Sequence, residues 1–96
     1  MKPSTALTHH RDAARALIAR YPVTNPMVFG SVARGEDQDD SDLDLVVDTL
    51  PTTSLFDLGG LSEELTALLG VRVDLVTRAG LLPAVAERVR RHAIPL

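Results

Sequence analysis

Apolar residues recur along the chain in two rhythms, and their alternation outlines a fold. Leu7, Ala14, Leu17 and Ile18 fall at helical spacing, so the stretch from Ser4 to about Arg20 reads as an amphipathic helix with Ser4 as its N-cap. Tyr21-Pro22 ends it, because the residue before a proline avoids the helical region. Met27-Val28-Phe29 is a short apolar run stopped by Gly30 and predicts a buried strand. Ser31 to Arg34 predicts one helical turn broken by Gly35, and Glu36 to Ser41 a polar loop. Leu43 to Asp48 predicts a second strand, with Leu43, Leu45 and Val47 on one face. Ser54 can cap a further helix, with Asp57 near its positive end. Its stripe is Leu58, Leu61, Leu65 and Leu68, and Gly70 stops it. Val71 to Thr77 predicts a third strand. Pro83 opens a last helix with Val85 and Val89 inward and Arg88, Arg90 and Arg91 outward, and Ile94-Pro95-Leu96 can add a short edge strand.

The predicted order is helix, strand, strand, helix, strand, helix. The link between the first two strands is too short for a helical crossover, so that pair is expected to be antiparallel. The fold class is therefore α/β in the α+β sense: a small mixed sheet of three to four strands flanked by helices, in a single domain spanning residues 1–96.

Composition narrows the function. Apolar residues make up 45% of the chain, as in ordinary globular proteins, while aromatics are only 3%, which argues against base stacking on single-stranded nucleic acid. A net charge of -3 offers no basic field for a phosphate backbone. The absence of cysteine excludes disulfides, thiolate metal sites and a cysteine nucleophile. No apolar run follows Met1-Lys2-Pro3-Ser4, and none is long enough to span a membrane, so a cytoplasmic protein is expected.

The chemistry lies in Gly30-Ser31-Val32-Ala33-Arg34-Gly35 and, downstream, Ser41-Asp42-Leu43-Asp44-Leu45. A glycine between a strand and a helical turn lets the backbone approach a ligand closely, the first N–H groups of the turn favour an anion, and Ser31 adds a hydroxyl donor. Asp42 and Asp44 are two residues apart on a strand and share a face, roughly 7 Å apart by backbone rise. Two such carboxylates repel unless a cation lies between them, and Mg²⁺ is usually held by one or two carboxylates plus substrate phosphates. Asp74 interrupts the apolar strand Val71-Arg72-Val73-Asp74-Leu75-Val76. Beside the Asp42–Asp44 strand it could complete a two-metal site or serve as a base.

The pattern G-S-x-A-R-G, a short spacer and S-D-x-D-L resembles the signature of the nucleotidyltransferase superfamily related to DNA polymerase beta. The short chain is similar to the minimal branch of that superfamily, which includes antitoxin partners of HEPN toxins. Met27 to Asp48 carry the resemblance by motif, Val71 to Thr77 by position and pattern. The resemblance implies that Gly30 and Ser31 bind the β- and γ-phosphates of ATP, with Arg34 and Ser41 nearby. It implies that Asp42 and Asp44 bind Mg²⁺, with two ions allowed, and that Asp74 is the third metal carboxylate and a candidate base. The implied reaction is transfer of AMP to a hydroxyl, as of a tyrosine on a HEPN-family helical toxin, with pyrophosphate released. A homo-oligomer is compatible with it. Val32 departs from the polar or basic residue of many relatives.

Two other functions fit fewer of these features: a binding module that neutralises a partner by docking alone, and a catalytic subunit that modifies a small molecule such as an aminoglycoside. The acids Glu36, Asp37, Asp39 and Asp40 read as a solvated loop. His9 and His10 are adjacent, so they point to different sides of a helix, a poor metal site. Arg88, Arg90 and Arg91 read as a solvated helix end favourable to the dipole.

Overall fold

In the computed structural model, which describes residues 1–96, the chain runs α1 (Pro3–Ile18), β1 (Val23–Phe29), α2 (Gly30–Arg34), β2 (Leu43–Thr49), α3 (Leu55–Leu69) and β3 (Val73–Thr77). A 3-10 turn at Arg78–Gly80 leads to α4 (Pro83–His92) and β4 (Ile94–Pro95). The four strands form one sheet in the order β3-β2-β1-β4. β1 pairs antiparallel with β2 and with β4, while β2 and β3 run parallel across the α3 crossover. The mixed sheet and the antiparallel first pair are as the sequence predicts.

The helical stripe on α3 closes the core from one side of the sheet. Ser54 Oγ accepts the Asp57 N–H and Asp57 accepts the Ser54 N–H, a reciprocal box that satisfies two end donors of the helix. The helix stops at Gly70, whose left-handed φ of 71° suits a residue without Cβ. Leu61, Leu65 and Leu69 are buried, with Leu58 and Leu68 at the margin. They meet Leu43, Leu45 and Val47 of β2 and Ala6, Leu7, Ala14 and Ile18 of α1 in one cluster.

Three local expectations are corrected. Ser4 is not the cap of α1: that position is Lys2, with Pro3 buried at the start of the helix. The Ser4 N–H instead donates to Asp37 Oδ2 at 2.8 Å, so an acid from a distant loop satisfies an end donor of the helix. Asp37 is accordingly 5% exposed and not part of a solvated loop. Burial pushes its carboxyl up, but hydrogen bonding from Ser4 and from its own backbone, with the charge of Lys2, holds it below the ordinary value of 3.8. The first strand begins at Val23 and not at Met27, because its pairing with β2 shifts register between Thr24 and Met27. Asn25, at φ 53°, and Pro26 form that bulge, a place where a proline is tolerated in a strand.

Candidate active site

The corner where β1 turns into α2 lies directly against β2. Phe29 pairs with Asp44 in the antiparallel register, and Gly30 follows at φ +69°. A Cβ on Gly30 would lie 2.1 Å from Asp44 Oδ2, so no other residue can occupy this position without displacing the carboxylate. Ser31 is half-buried in the single turn of α2, which ends at Gly35. The glycine corner and the second acid of the pair, 14 residues apart from Gly30 to Asp44 in sequence, are thus in contact.

Asp42 immediately precedes β2, and Asp44 lies within it on the face opposite Leu43 and Leu45. β3 brings Asp74 beside Asp44 as its register partner in the parallel pair. The three predicted acids therefore gather at one end of the sheet. Asp74 is on the outermost strand and is exposed, with Val73, Leu75 and Val76 only half-buried around it.

The electrostatics of the trio suit a cation. Asp44 is pushed up to about 6 by burial first, then by the charges of Asp74 and Asp42 and a hydrogen bond with Asp74, with Arg34 opposing. Asp42 Oδ1 is shielded from solvent and accepts no hydrogen bond. Arg72 Nε lies 2.9 Å from that oxygen, an ion-pair contact without hydrogen-bond alignment. A buried, under-satisfied carboxylate oxygen beside a carboxylate whose ionised form is disfavoured by burial and like charge is a donor set that a hard divalent ion would satisfy. No three His, Cys, Asp or Glu side chains converge tightly enough to cage a metal with protein atoms alone. An ion held by Asp42 and Asp44 would therefore have to complete its shell with water and substrate phosphates.

The remaining predicted residues are less uniform. Arg34 Nε binds Glu36 at 3.1 Å, and the Arg34 side chain borders a cleft of about 500 Å³ between α2 and α4. Ser41 closes its own loop: its Oγ accepts the Gln38 N–H at 2.9 Å and its N–H donates to the Gln38 carbonyl at 3.1 Å. The cleft itself escaped sequence reasoning. It is lined by Phe29, Gly30 and Arg34 on one side and by Val85, Arg88, Val89 and His92 on the other. The only signal was the spacing 85, 88, 89, 92, which places these four on one helix face.

A carboxylate pressed against a glycine corner, with two further acids at the same end of a mixed sheet and a cleft beside it, suits an enzyme of nucleotide chemistry. The chain belongs to the nucleotidyltransferase domain family, whose profile matches residues 10–96. It is similar to the protein adenylyltransferase MntA of Thermococcus cleftensis, with 42% identity over 88 residues, covering 92% of this chain and 86% of that protein. A solved structure of a minimal nucleotidyltransferase superposes with a TM-score of 0.87 at 48% identity, covering 100% of this chain and 97% of the other. The fold is shared as well with a chain in the complex of a tri-AMPylated HEPN toxin and MNT antitoxin from Shewanella oneidensis. The TM-score there is 0.64 at 18% identity, covering 97% of this chain and 70% of that one. No helix is long and apolar enough to cross a membrane.

Proposed function

We propose that this nucleotidyltransferase transfers AMP from ATP to a tyrosine hydroxyl of a helical HEPN-family toxin and thereby acts as its antitoxin. The observation that carries the reading is the contact of Gly30 with Asp44, which joins the phosphate corner to the acid trio in one site. The reading is supported by the name of the Thermococcus relative, a protein adenylyltransferase, and by the AMPylated toxin in the Shewanella complex. An ATP-dependent activity and a chain without cysteine suit the cytoplasm.

Asp42 and Asp44 would hold Mg²⁺, with Asp74 available as a third carboxylate and to a second ion. When bound, the metal neutralises triphosphate charge and stabilises the attacking and leaving oxygens of an in-line displacement. Gly30 and Ser31 would hold the β- and γ-phosphates and Arg34 would lie beside them, while Ser41 keeps the loop before Asp42 closed. The acceptor oxygen attacks the α-phosphorus, the bond from that phosphorus to the α,β-bridging oxygen breaks, and pyrophosphate leaves. The hydroxyl proton passes to the carboxylate of Asp74, whose exposed position on the edge strand leaves it open to a partner's hydroxyl.

Incubation with a HEPN partner, Mg²⁺ and α-labelled ATP tests the reading. Label is expected on the partner with the wild type and is expected to vanish with Asp42→Ala/Asp44→Ala. An unlabelled partner, or protection of cells by the double variant equal to that of the wild type, would favour a protein that works by docking alone.

A further inference from the structure

Three arginines lie close together on α4, and the fold gives them different fates. Arg90 and Arg91 both bind Glu87, through their Nε atoms at 3.1 and 2.9 Å. Arg88 has no acidic partner and lines the cleft between α2 and α4. Across the cleft stands Arg34, whose Nε is engaged by Glu36. The lining also includes Gly30, the residue that abuts Asp44.

We propose that Arg88 is a phosphate-binding residue, which together with Arg34 makes this cleft the seat of the terminal phosphates of the nucleoside triphosphate. The inference rests on the nucleotidyl transfer proposed above. Asp42, Asp44 and Asp74 at one end of the sheet, in a chain of net charge -3, disfavour a polyanion, and positive side chains beside them would offset that repulsion. The cleft supplies them: Gly30, which abuts Asp44, shares its lining with Arg34 and Arg88. A guanidinium presents a planar fork of donors that matches phosphate oxygens. The volume of about 500 Å³ is within the range of small-ligand sites. An alternative occupant of the same cleft is the base, since Phe29, Val85 and Val89 are apolar, but an arginine without an acidic partner in its lining favours the phosphates.

Binding in the presence of Mg²⁺ separates these outcomes, using AMP-PNP, pyrophosphate and AMP as ligands for the wild type and for Arg88→Ala, Arg88→Lys and Arg90→Ala. Arg88→Ala is expected to weaken AMP-PNP and pyrophosphate by about 10- to 100-fold, the worth of a charge-assisted phosphate contact, and to leave AMP within about twofold. Arg88→Lys should recover part of the loss. Arg90→Ala removes the same charge from a residue bound to Glu87 and should change every ligand by no more than about twofold. Arg88→Ala binding AMP-PNP as tightly as the wild type would overturn the inference. So would an equal loss for AMP, which would assign the cleft to the base. A wild type that binds none of the three ligands would defeat the nucleotidyl-transfer reading along with it.

Discussion

Replacing Asp44 by asparagine should make the metal-free protein more stable while destroying its chemistry. The carboxyl of Asp44 is raised from an ordinary 3.8 to about 6, by burial and by the charges of Asp74 and Asp42. Below pH 3.8 it is protonated whether the chain is folded or not. Between 3.8 and 6 only the folded state keeps the proton. Above 6 both states are ionised, and the folded one carries the repulsion. Stability from this group is therefore present at low pH and lost as the pH rises through 6. Taken at face value, the difference between 3.8 and 6 amounts to about 3 kcal/mol. Asp44 is only part-buried, and screening by water reduces this to roughly 1 kcal/mol. Asparagine has the same shape and no charge, so Asp44→Asn should raise the melting temperature at pH 7.5 by about 4–8 °C. The gain should shrink as the pH is lowered from 7 to 5. Mg²⁺ with AMP-PNP should stabilise the wild type more than the variant. Thermal melts across that pH range, with and without metal, provide the measurement. A variant no more stable than the wild type at pH 7.5, or a gain that does not change with pH, would refute the electrostatic account.

Other substitutions probe the scaffold. Gly30→Ala places a Cβ 2.1 Å from Asp44 Oδ2 at a left-handed φ, so it should cost about 1–3 kcal/mol in denaturant titration and abolish AMP transfer. Asp37→Ala leaves the Ser4 N–H without its acceptor and should destabilise the fold by about 1–2 kcal/mol at pH 7. Because the Asp37 carboxyl is held below 3.8, this difference should be full at neutral pH and fade as the pH falls below that value, a trend that urea titrations at several pH values would follow. Ser54→Ala removes half of the capping box on α3 and should lower stability by about 1 kcal/mol by the same measurement, with AMP transfer preserved.

Legibility in the sequence followed the range of the interactions. The Ser54 cap, the Gly70 stop and the Leu61–Leu65 stripe each depend on residues within a turn or two, and all three were readable. So was the Gly30 to Asp44 constellation, because one tight corner and one strand carry it. The role of Asp37 was hidden because its partner, Ser4, lies 33 residues away, and among four acids in one loop nothing local marks the buried one. The early start of β1 was hidden because Pro26 and Asn25 argue against a strand unless a bulge absorbs them. The α4 arginines looked equivalent, and only the packing of α4 against α2 separates Arg88 from its two neighbours.

The level pairing of Asp44 with Asp74 has a consequence for how this chain can vary. Side chains on a strand alternate with a period of two, so the placement of Asp74 is a matter of parity. A single residue gained or lost within β3 before Asp74 would turn its carboxylate toward the leucines of α3 and present an apolar side chain to Asp44. A bulge elsewhere or a longer loop before β3 would leave the pairing untouched. Insertions are thus better tolerated in the turn at Gly70 and Val71, ahead of Arg72 with its contacts to Leu43 and Asp42, whereas an odd change at the start of β3, before Asp74, takes the third acid out of the site.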